Sequence, residues 1–523
     1  MKRFYITTTL PYVNADPHVG FALEIVQADV IARWHAMRGD EVFFNTGTDE
    51  HGLKIYRGAL AAGLNPKSYA DAHAAKYDEL KSALHLSYNN FIRTTDSHHV
   101  QAAEEFWRRC AERGDIYKKN YQIKYCVGCE LEKMESELED GRCLLHPHLE
   151  IEQVDEENYF FRYSRYRDEL LEFYAKNPEF VVPKNRMHEM VKFTERGLQD
   201  FSISRLKSKM PWGVPVPGDD AQVMYVWFDA LVNYVSAIGW PDDFKKFNSF
   251  WPGVQTAGKD NLRQQASMWQ AMLLSAGLPL SKQILIHGFI TSAGQKISKS
   301  LGNTISPFDY IEEFGADALR YYLLREIPTL DDGDFTHEKF LARYNADLAN
   351  GLGNQVQRVT AMVEKYLDGK VTYKFSHACP PYAFPRKQFA REGKYEQEKY
   401  CRSLTAGFGR RGLKVKYGGG GTLQARVNAA VQSYQLDQAL AAIWAKIAEC
   451  DKRVDDEKPW VLAKDAGEKE HLRKLLGGLV ADLQEIGHAL TPFLPQTAES
   501  ILKVVNAPKI IPPEAPLFPR KAI

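Results

Sequence analysis

The first 46 residues carry the pattern that most restricts the fold. Phe4–Thr9 is rich in β-branched and aromatic residues and predicts a strand, which runs into a loop with two prolines. From His18 to Met37, apolar residues recur at three- and four-residue spacing, which predicts a helix that closes at Gly39. Glu41–Thr46 predicts a second strand. Because two strands joined by one helix pair in parallel, we expect an α/β fold with a Rossmann-like parallel sheet.

Both predicted strands end at the same edge of that sheet, and open α/β sheets bind their ligands at this edge. The residue types found there suit the binding of polar ligands. The edge carries Tyr12, His18, Thr48, Asp49, Glu50 and His51.

Length and composition are typical of a multidomain protein from a reducing compartment. The 523 residues suffice for three or four domains, and seven cysteines over that length exclude a small disulfide scaffold. Lys plus Arg equals Asp plus Glu at 67 each, so nucleic acid would have to bind at local basic patches. The N-terminus lacks the apolar core of a signal peptide, and no apolar run approaches the length of a membrane span. We therefore expect a cytoplasmic protein without a membrane partner.

Further along the chain, the α/β pattern is interrupted and then gives way to helices. Residues 117–211 are cysteine-containing and charge-rich, and we interpret them as an insertion. Helical periodicity over Leu348–Tyr366, Leu423–Asp451 and Glu468–His488 predicts a C-terminal bundle. The predicted division is a catalytic domain in two halves (1–116 and 212–290), the insertion (117–211), a connector (291–344) and an all-α domain (345–523).

The segment 376–422 follows neither a helical nor a strand period. Within it, Arg386–Lys416 carries ten Lys and Arg residues against three Glu, and Gly418–Gly421 is a run of four glycines. A basic linker that faces RNA is one interpretation. A disordered or locally garbled segment is the other.

Two short motifs together predict a site for a polyphosphate. His18 and Gly20 lie at the predicted start of the first helix, where backbone N–H groups and the helix dipole attract anions. Between glycines 294 and 302, Lys296 and Lys299 lie in a polar loop that can neutralise a departing pyrophosphate. Either motif alone is more typical of a capping histidine or of a solvated loop. Their occurrence in one chain favours a nucleotide site.

The two motifs resemble the His-Ile-Gly-His and Lys-Met-Ser-Lys-Ser signatures of the class I aminoacyl-tRNA synthetases. Further runs resemble those of the methionyl-tRNA synthetases in that class: Thr9–Tyr12, Gly47–Gly52, Trp212–Pro217, Tyr225–Ala230, Gly258–Asp260 and Lys458–Trp460. The resemblance implies a ligase that activates methionine with ATP to methionyl-adenylate and transfers it to tRNA(Met), including the initiator tRNA. It also implies a Rossmann-like catalytic domain with a zinc-bearing insertion, followed by an all-α anticodon-binding bundle. We expect a monomer.

The resemblance assigns roles to individual residues. The catalytic residues are His18, Gly20, Lys296 and Lys299. ATP, accompanied by Mg²⁺, is expected to contact these four and also Phe21, Gly258, Asp260, His287, Gly288 and Ser298. Aromatic walls suit a thioether, and Asp49 is expected to hold the substrate ammonium group. The full methionine site is expected to comprise Leu10, Tyr12, Asp49, Trp227, Ala230, Leu231, Tyr234, Gln265 and Trp269.

The chain departs from the family pattern at three positions. Phe21 replaces the second histidine of the first motif, Ile297 replaces the methionine of the second, and Gln265 stands where many relatives have histidine. Loss of one donor to a developing charge costs about 2–4 kcal/mol of transition-state stabilisation. We therefore expect Phe21 to slow catalysis without abolishing it.

The insertion carries four residues that are suited to a structural Zn²⁺. Cys126 and Cys129 are spaced as a C-x-x-C knuckle, and Cys143 and His146 follow at the same spacing. Three thiolates and one imidazole close a tetrahedron and leave no open position for catalysis. His148 is an alternative to His146, and reduced cysteines without metal are the other interpretation. Four cysteines have no partner at metal-binding spacing: Cys110, Cys379, Cys401 and Cys450.

The predicted bundle carries Trp460 directly after Lys458-Pro459. The resemblance implies that this ring reads the CAU anticodon, since proteins commonly stack RNA bases on aromatic side chains. Arg358 is the candidate partner of Trp460, and a core anchor is the alternative role of the ring. Two other functions stay open: a class I synthetase for another amino acid, such as isoleucine, valine, leucine or cysteine, and a catalytically weakened tRNA-binding relative.

Overall fold

The computed structural model describes residues 1–129, 131–133, 137–297, 303–371 and 422–522. A central sheet of six parallel strands confirms the predicted α/β fold. Its strands lie in the spatial order β3-β2-β1-β5-β6-β4. In chain order they are β1 (Arg3–Thr7), β2 (Glu41–Thr48), β3 (Asn90–Arg93), β4 (Val181–Val182), β5 (Val254–Gly258) and β6 (Gln283–His287).

The strand order places a ligand crevice beside β1. The chain runs outward from β1 to β2 and β3, and it later returns to the other side of β1 with β5. Such a reversal opens a crevice at the carboxyl ends of the two strands concerned. β1 and β5 are in register through Ile6 opposite Val254 and Thr7 opposite Gln255, so Thr9–Tyr12 and Gly258–Asp260 emerge at the same edge.

Helix α1 (Val19–Met37) connects β1 to β2 and is buried along most of its length. It lies between the sheet and the helix Ala316–Arg325, so even the polar residues Glu24 and Asp29 are enclosed. Gly39, at φ +85°, ends the connection as the sequence predicts, since a left-handed backbone favours glycine.

Several predicted helices are interrupted in the structure. Leu423–Asp451 was expected as one helix, but it is two, because Tyr434 at φ 58° breaks the run between Leu423–Gln432 and Leu436–Glu457. The sequence of residues 261–276 also predicts one helix, but the structure has a 3₁₀ turn (Lys259–Asn261), a π-helix (Gln264–Met268) and then an α-helix (Trp269–Ser275). These breaks come from tertiary packing, which apolar periodicity does not record.

The predicted insertion contains a four-stranded antiparallel sheet built on the long pair Ile116–Cys126 and Glu152–Phe161. It also supplies β4, which pairs with β6 at the edge of the central sheet through Val181 and Val182. The range 117–211 is therefore not separate from the catalytic sheet. The domain division as a whole stays a prediction.

The helices after residue 344 pack as a bundle that shares a continuous apolar core with one face of the central sheet. Buried Arg320 joins the two parts: it forms an ion pair with Asp29 of α1 at 2.7 Å and donates to the carbonyl oxygens of Leu84, Pro492 and Phe493. In the part of the chain that is described, no helix is both long and apolar enough to span a bilayer.

The remaining elements complete the two layers around the sheet, the insertion and the bundle. The other α-helices are Leu53–Ala61, Pro66–Ala83, Ser97–Glu112, Arg167–Lys176, Lys184–Glu195, Val226–Ala230, Asn233–Ser236, Phe244–Phe250, Trp269–Ser275, Pro307–Phe314, His337–Arg343, Asn354–Leu367, Pro459–Leu462, Lys469–Leu490 and Pro495–Val505. Short strands are Leu131–Lys133, Leu138–Glu139, Arg142–Cys143, Phe201–Ser202, Ser204–Leu206, Pro215–Val216, Asp219–Met224, Ile290–Ser292, Gln295–Lys296 and Gly333–Asp334.

Candidate active site

The start of α1 forms the phosphate end of the candidate site. His18 is the N-cap of the helix, and its Nδ1 accepts the N–H of Gly20 at 3.0 Å. A Cβ at residue 20 would lie 2.8 Å from the His18 ring, so only glycine permits this cap. Burial lowers the pKa of His18, which keeps the ring neutral with its proton on Nε2. The ring therefore presents an N–H donor beside a cavity of about 690 Å³.

The carboxyl ends of β5 and β6 form a second, buried polar cluster. His287 Nδ1 donates to the carbonyl of Gly288 at 2.8 Å, and Nε2 donates to Glu24 Oε2 at 3.0 Å. Burial alone would lower the pKa of His287, but the hydrogen bond and charge of Glu24 raise it. Gly258 approaches this ring closely, because a Cβ there would lie 3.6 Å from His287 Cε1. Asp260 is exposed just beyond.

Aromatic rings and a buried carboxyl group meet where β1 and β2 end. Tyr12 and Trp227 pack edge to face with ring centroids 6.5 Å apart. Tyr12 and Asp49 form an isolated parallel bridge, and the Asp49 N–H donates to the carbonyl of Pro11 at 2.9 Å. The backbone of Asp49, a residue that is 3% exposed, is thus held beside the backbone of Tyr12. Leu10 is half-buried in the same loop.

Three further residues of the predicted methionine-binding site lie together in the core. Gln265 Nε2 donates to the Tyr234 hydroxyl at 2.7 Å, and the Tyr234 and Trp269 rings pack edge to face at 5.8 Å. Tyr234 is fixed in turn by Tyr5 of β1, which donates to its carbonyl at 2.9 Å. Gln265 is therefore hydrogen-bonded to another residue of the predicted methionine site. Ala230 and Leu231 are buried at the end of the helix that carries Trp227.

Comparison with known proteins decides the family. The family model described as tRNA synthetases class I (M) matches residues 4–143 and 128–360. The methionine–tRNA ligase of Thermosynechococcus vestitus is 42% identical over 505 residues, which cover 95% of this chain and 89% of that protein. The ligase of Thermotoga maritima is 39% identical, over 96% of this chain and 75% of its own length.

Comparison with solved structures gives the same family. Mycobacterium tuberculosis methionyl-tRNA synthetase in complex with methionyl-adenylate matches with a TM-score of 0.85 at 36% identity, over 99% of this chain and 100% of that one. Its apo form matches with a TM-score of 0.79 at 33% identity, over 100% and 99% of the two chains. The chain belongs to the methionyl-tRNA synthetase family.

The lysine motif of the synthetase is described only in part. Ser298 and Lys299 lie outside the described residues, and Lys296 ends the short strand Gln295–Lys296. The segment after the motif returns to the first motif, since the Val19 N–H donates to the carbonyl of Ile305 at 3.0 Å. The anomalous segment 376–422, apart from Thr422, also lies outside the described residues.

Phe21, the unusual residue of the first motif, packs against the helix that also lines the cavity beside His18. Its ring meets Tyr77 of the helix Pro66–Ala83 edge to face at 5.3 Å. A phenyl ring cannot donate to a phosphate oxygen. In this synthetase, His18 is therefore the imidazole that remains in the first motif.

The insertion brings the four predicted metal ligands together. Their ligand atoms all lie within 4.8 Å of one another, and Cys129 Sγ is 3.2 Å from His146 Nδ1 and 3.5 Å from Cys143 Sγ. A Cβ at Gly128 would lie 2.5 Å from the His146 ring, so glycine is needed for this approach. The donor set, three thiols and one imidazole, fits Zn²⁺. His148 is not in the group; its ring centroid lies 6.1 Å from that of His146.

The two predicted anticodon residues also meet. Arg358 Cζ lies 5.6 Å from the centre of the Trp460 ring, and Arg358 is oriented by Asp455 at 2.7 Å. Trp460 is 39% exposed, so part of one of the largest apolar side chains faces solvent. This exposure contradicts the alternative role of a core anchor.

Sequence reasoning missed several polar residues that support the site. Glu24 is one. Others are His99 and Asp229, whose fully buried carboxylate also binds His51, and Arg93, which donates a bidentate pair of bonds to Glu50. The available signal was the presence of charged residues inside apolar runs, since buried charges in proteins are paired.

Proposed function

We propose that this chain catalyses the two-step reaction of its family, the activation of methionine with ATP and the transfer of the methionyl group to tRNA(Met). The observation that carries the proposal is the convergence at one sheet edge of the capped helix start, the His287 cluster and the Tyr12–Trp227 pair with Asp49. In this proposal, the helix start takes the nucleotide phosphates, the His287 cluster takes the adenosine, and the Tyr12–Trp227 pair with Asp49 takes the amino acid.

In the first step, a carboxylate oxygen of methionine attacks the α-phosphorus of ATP. The bond to the bridging oxygen breaks, and pyrophosphate leaves with the electron pair. We assign His18 Nε2–H and the first N–H groups of α1 to the charge that builds on the α-phosphate. We assign Lys296 and Lys299 to the pyrophosphate on the basis of the sequence motif. Mg²⁺ would accompany the phosphates.

In the second step, the 2′-hydroxyl oxygen of the terminal ribose attacks the methionyl carbonyl carbon. An ester bond forms, AMP leaves, and the hydroxyl proton passes to the departing phosphate or to water. The chain contributes position and electrostatics in both steps rather than a covalent nucleophile. In this proposal Asp49 pairs with the ammonium group of the substrate, while Tyr12, Trp227 and the core around Tyr234 enclose the thioether.

Zinc has a structural place in this proposal. Cys126, Cys129, Cys143 and His146 would hold Zn²⁺ in a closed four-ligand site that fixes the tip of the insertion. Initiator tRNA as a partner, a monomeric state and a cytoplasmic location stay predictions from the sequence.

The test is ATP–pyrophosphate exchange with each amino acid in turn. We expect exchange with methionine well above that with isoleucine, valine, leucine or cysteine, and charging of tRNA(Met). The phenylalanine at position 21, in place of the second histidine of the first motif, favours a second candidate function, that of a tRNA-binding relative with weakened catalysis. Binding of tRNA(Met) without any methionine-dependent exchange would establish that alternative.

A further inference from the structure

A buried carboxylate joins three elements behind the proposed methionine site. Asp229 is fully enclosed, and its two oxygens bind two different imidazoles: Oδ2 lies 2.6 Å from His51 Nδ1, and Oδ1 lies 2.8 Å from His99 Nε2. The second nitrogen of His99 lies 2.9 Å from Ser236 Oγ. All four residues are at most 6% exposed.

The hydrogen-bond roles in this cluster follow from the acceptor at its centre. A carboxylate only accepts, so His51 Nδ1 and His99 Nε2 both carry protons. The other ring nitrogen of His99, Nδ1, forms a hydrogen bond with the Ser236 hydroxyl. Burial alone would raise the pKa of Asp229, but the charge and hydrogen bonds of the two histidines lower it to about 2. The carboxylate is therefore ionised and directionally bound from both sides.

Two residues of this cluster lie two positions along the chain from residues of the proposed methionine site. His51 follows Asp49 by two residues at the end of β2, and Ser236 follows Tyr234 by two residues. Asp229 itself lies between Trp227 and Ala230 on one short helix. The helix is only five residues long, so its own hydrogen bonds do little to fix its orientation.

Resting on the proposed function, we infer that Asp229 is a positioning residue that sets the spacing between Asp49 and Trp227. The carboxyl of Asp49 and the ring of Trp227 hold opposite ends of the amino acid, so their separation decides how well methionine fits. Asp229 does not touch the substrate. It acts through His51 on one side and through its own helix on the other.

The test compares Asp229→Asn with a matched control, Asp115→Asn. Asp115 is equally buried and accepts from Tyr166, Arg165 and Ser275, none of which belongs to the proposed methionine site. In ATP–pyrophosphate exchange, we expect Asp229→Asn to raise the KM for methionine at least tenfold and to leave the KM for ATP within about twofold of the parent. Asp115→Asn should leave both KM values unchanged, whatever its effect on melting temperature.

A pair of histidine variants keeps the inference testable if Asp229→Asn does not fold. An asparagine amide can replace Nδ1 as a donor, whereas a glutamine amide reaches the position of Nε2. His51→Asn should therefore keep a KM for methionine near the parent value, and His51→Gln should raise it. Three results would overturn the inference. The KM for methionine could rise as much in Asp115→Asn as in Asp229→Asn, or it could be equal in the two His51 variants. The third result is a parallel rise of the KM values for methionine and for ATP in Asp229→Asn. Absence of methionine-dependent exchange in the parent protein would instead refute the proposed function.

Discussion

The exchange of Glu24 for glutamine tests the charge state of the His287 cluster. In the parent protein, Glu24 accepts from the Thr9 N–H at 2.6 Å, from the Thr9 hydroxyl at 2.7 Å and from His287 at 3.0 Å. In Glu24→Gln the amide oxygen can keep both bonds to Thr9. The amide N–H₂ then faces His287 Nε2, which must lose its proton and accept. The variant thus keeps every hydrogen bond but holds His287 neutral.

The expected cost follows from the type of bond that is exchanged. A hydrogen bond to a charged group contributes about 1.5–3 kcal/mol and a neutral one about 1 kcal/mol, so Glu24→Gln should cost about 0.5–2 kcal/mol in the free energy of unfolding. The pKa of His287 is raised above its ordinary 6.5 in the folded state. A raised pKa adds stability that is complete below about pH 6.5 and disappears as the pH rises through the folded-state value. The difference between the two proteins should therefore be largest at pH 6 and shrink towards pH 9.

Urea unfolding of both proteins between pH 6 and pH 9 measures this difference. Tryptophan fluorescence and circular dichroism should be followed together, because coincident transitions justify a single free energy of unfolding. The control is Glu41→Gln, which removes an exposed ion pair with Arg3 and should cost less than about 1 kcal/mol at every pH. A gap between parent and Glu24→Gln that stays constant or widens with pH would refute a charged His287.

Three further changes test other parts of the site. Phe21→His restores an imidazole in the first motif and should raise kcat of ATP–pyrophosphate exchange at least tenfold, since a donor to developing charge is worth about 2.7–4 kcal/mol; an unchanged kcat would contradict a role for that position. Cys129→Ala should abolish stoichiometric zinc in metal analysis and lower the melting temperature by about 5 °C or more, whereas zinc retention would rule out the four-residue site. Trp460→Ala should lower kcat/KM for charging of tRNA(Met) about 5- to 150-fold, as expected for loss of one base stack, and should leave ATP–pyrophosphate exchange unchanged. The control is Val461→Ala, since Val461 lies beside Trp460 and is 51% exposed; this variant should charge tRNA(Met) normally.

Features of the fold and site could be predicted from the sequence where the residues that form them lie close together along the chain. The βαβ start was predictable because its period and its caps are local: Gly39 and the N-cap His18 lie where the pattern places them. The metal cluster was predictable because ligand spacing is also local. The pairing of β4 with β6 joins residues a hundred positions apart, and short apolar pairs such as Val181–Val182 carry no register of their own.

The missed site residues have the same explanation. Asp229 meets His99 across 130 positions and His51 across 178, so no single segment indicates that the three side chains meet. The residues of the methionine-binding site were predicted from the resemblance of motifs rather than from periodicity. The break at Tyr434 was missed because the apolar spacing continues across it while the backbone turns left-handed.

The buried guanidinium of Arg320 has a consequence for synthesis of the chain. Its acceptors lie 236 residues before it, at Leu84, and 173 residues after it, at Phe493. During synthesis, Asp29 and Leu84 are made before Arg320, whereas the carbonyl groups of Pro492 and Phe493 follow it. Domains commonly fold in order from the N-terminus during translation. In this chain, the hydrogen bonds of the guanidinium are complete only after Phe493 has left the ribosome, so α1 and the helix Ala316–Arg325 reach their final packing late in translation.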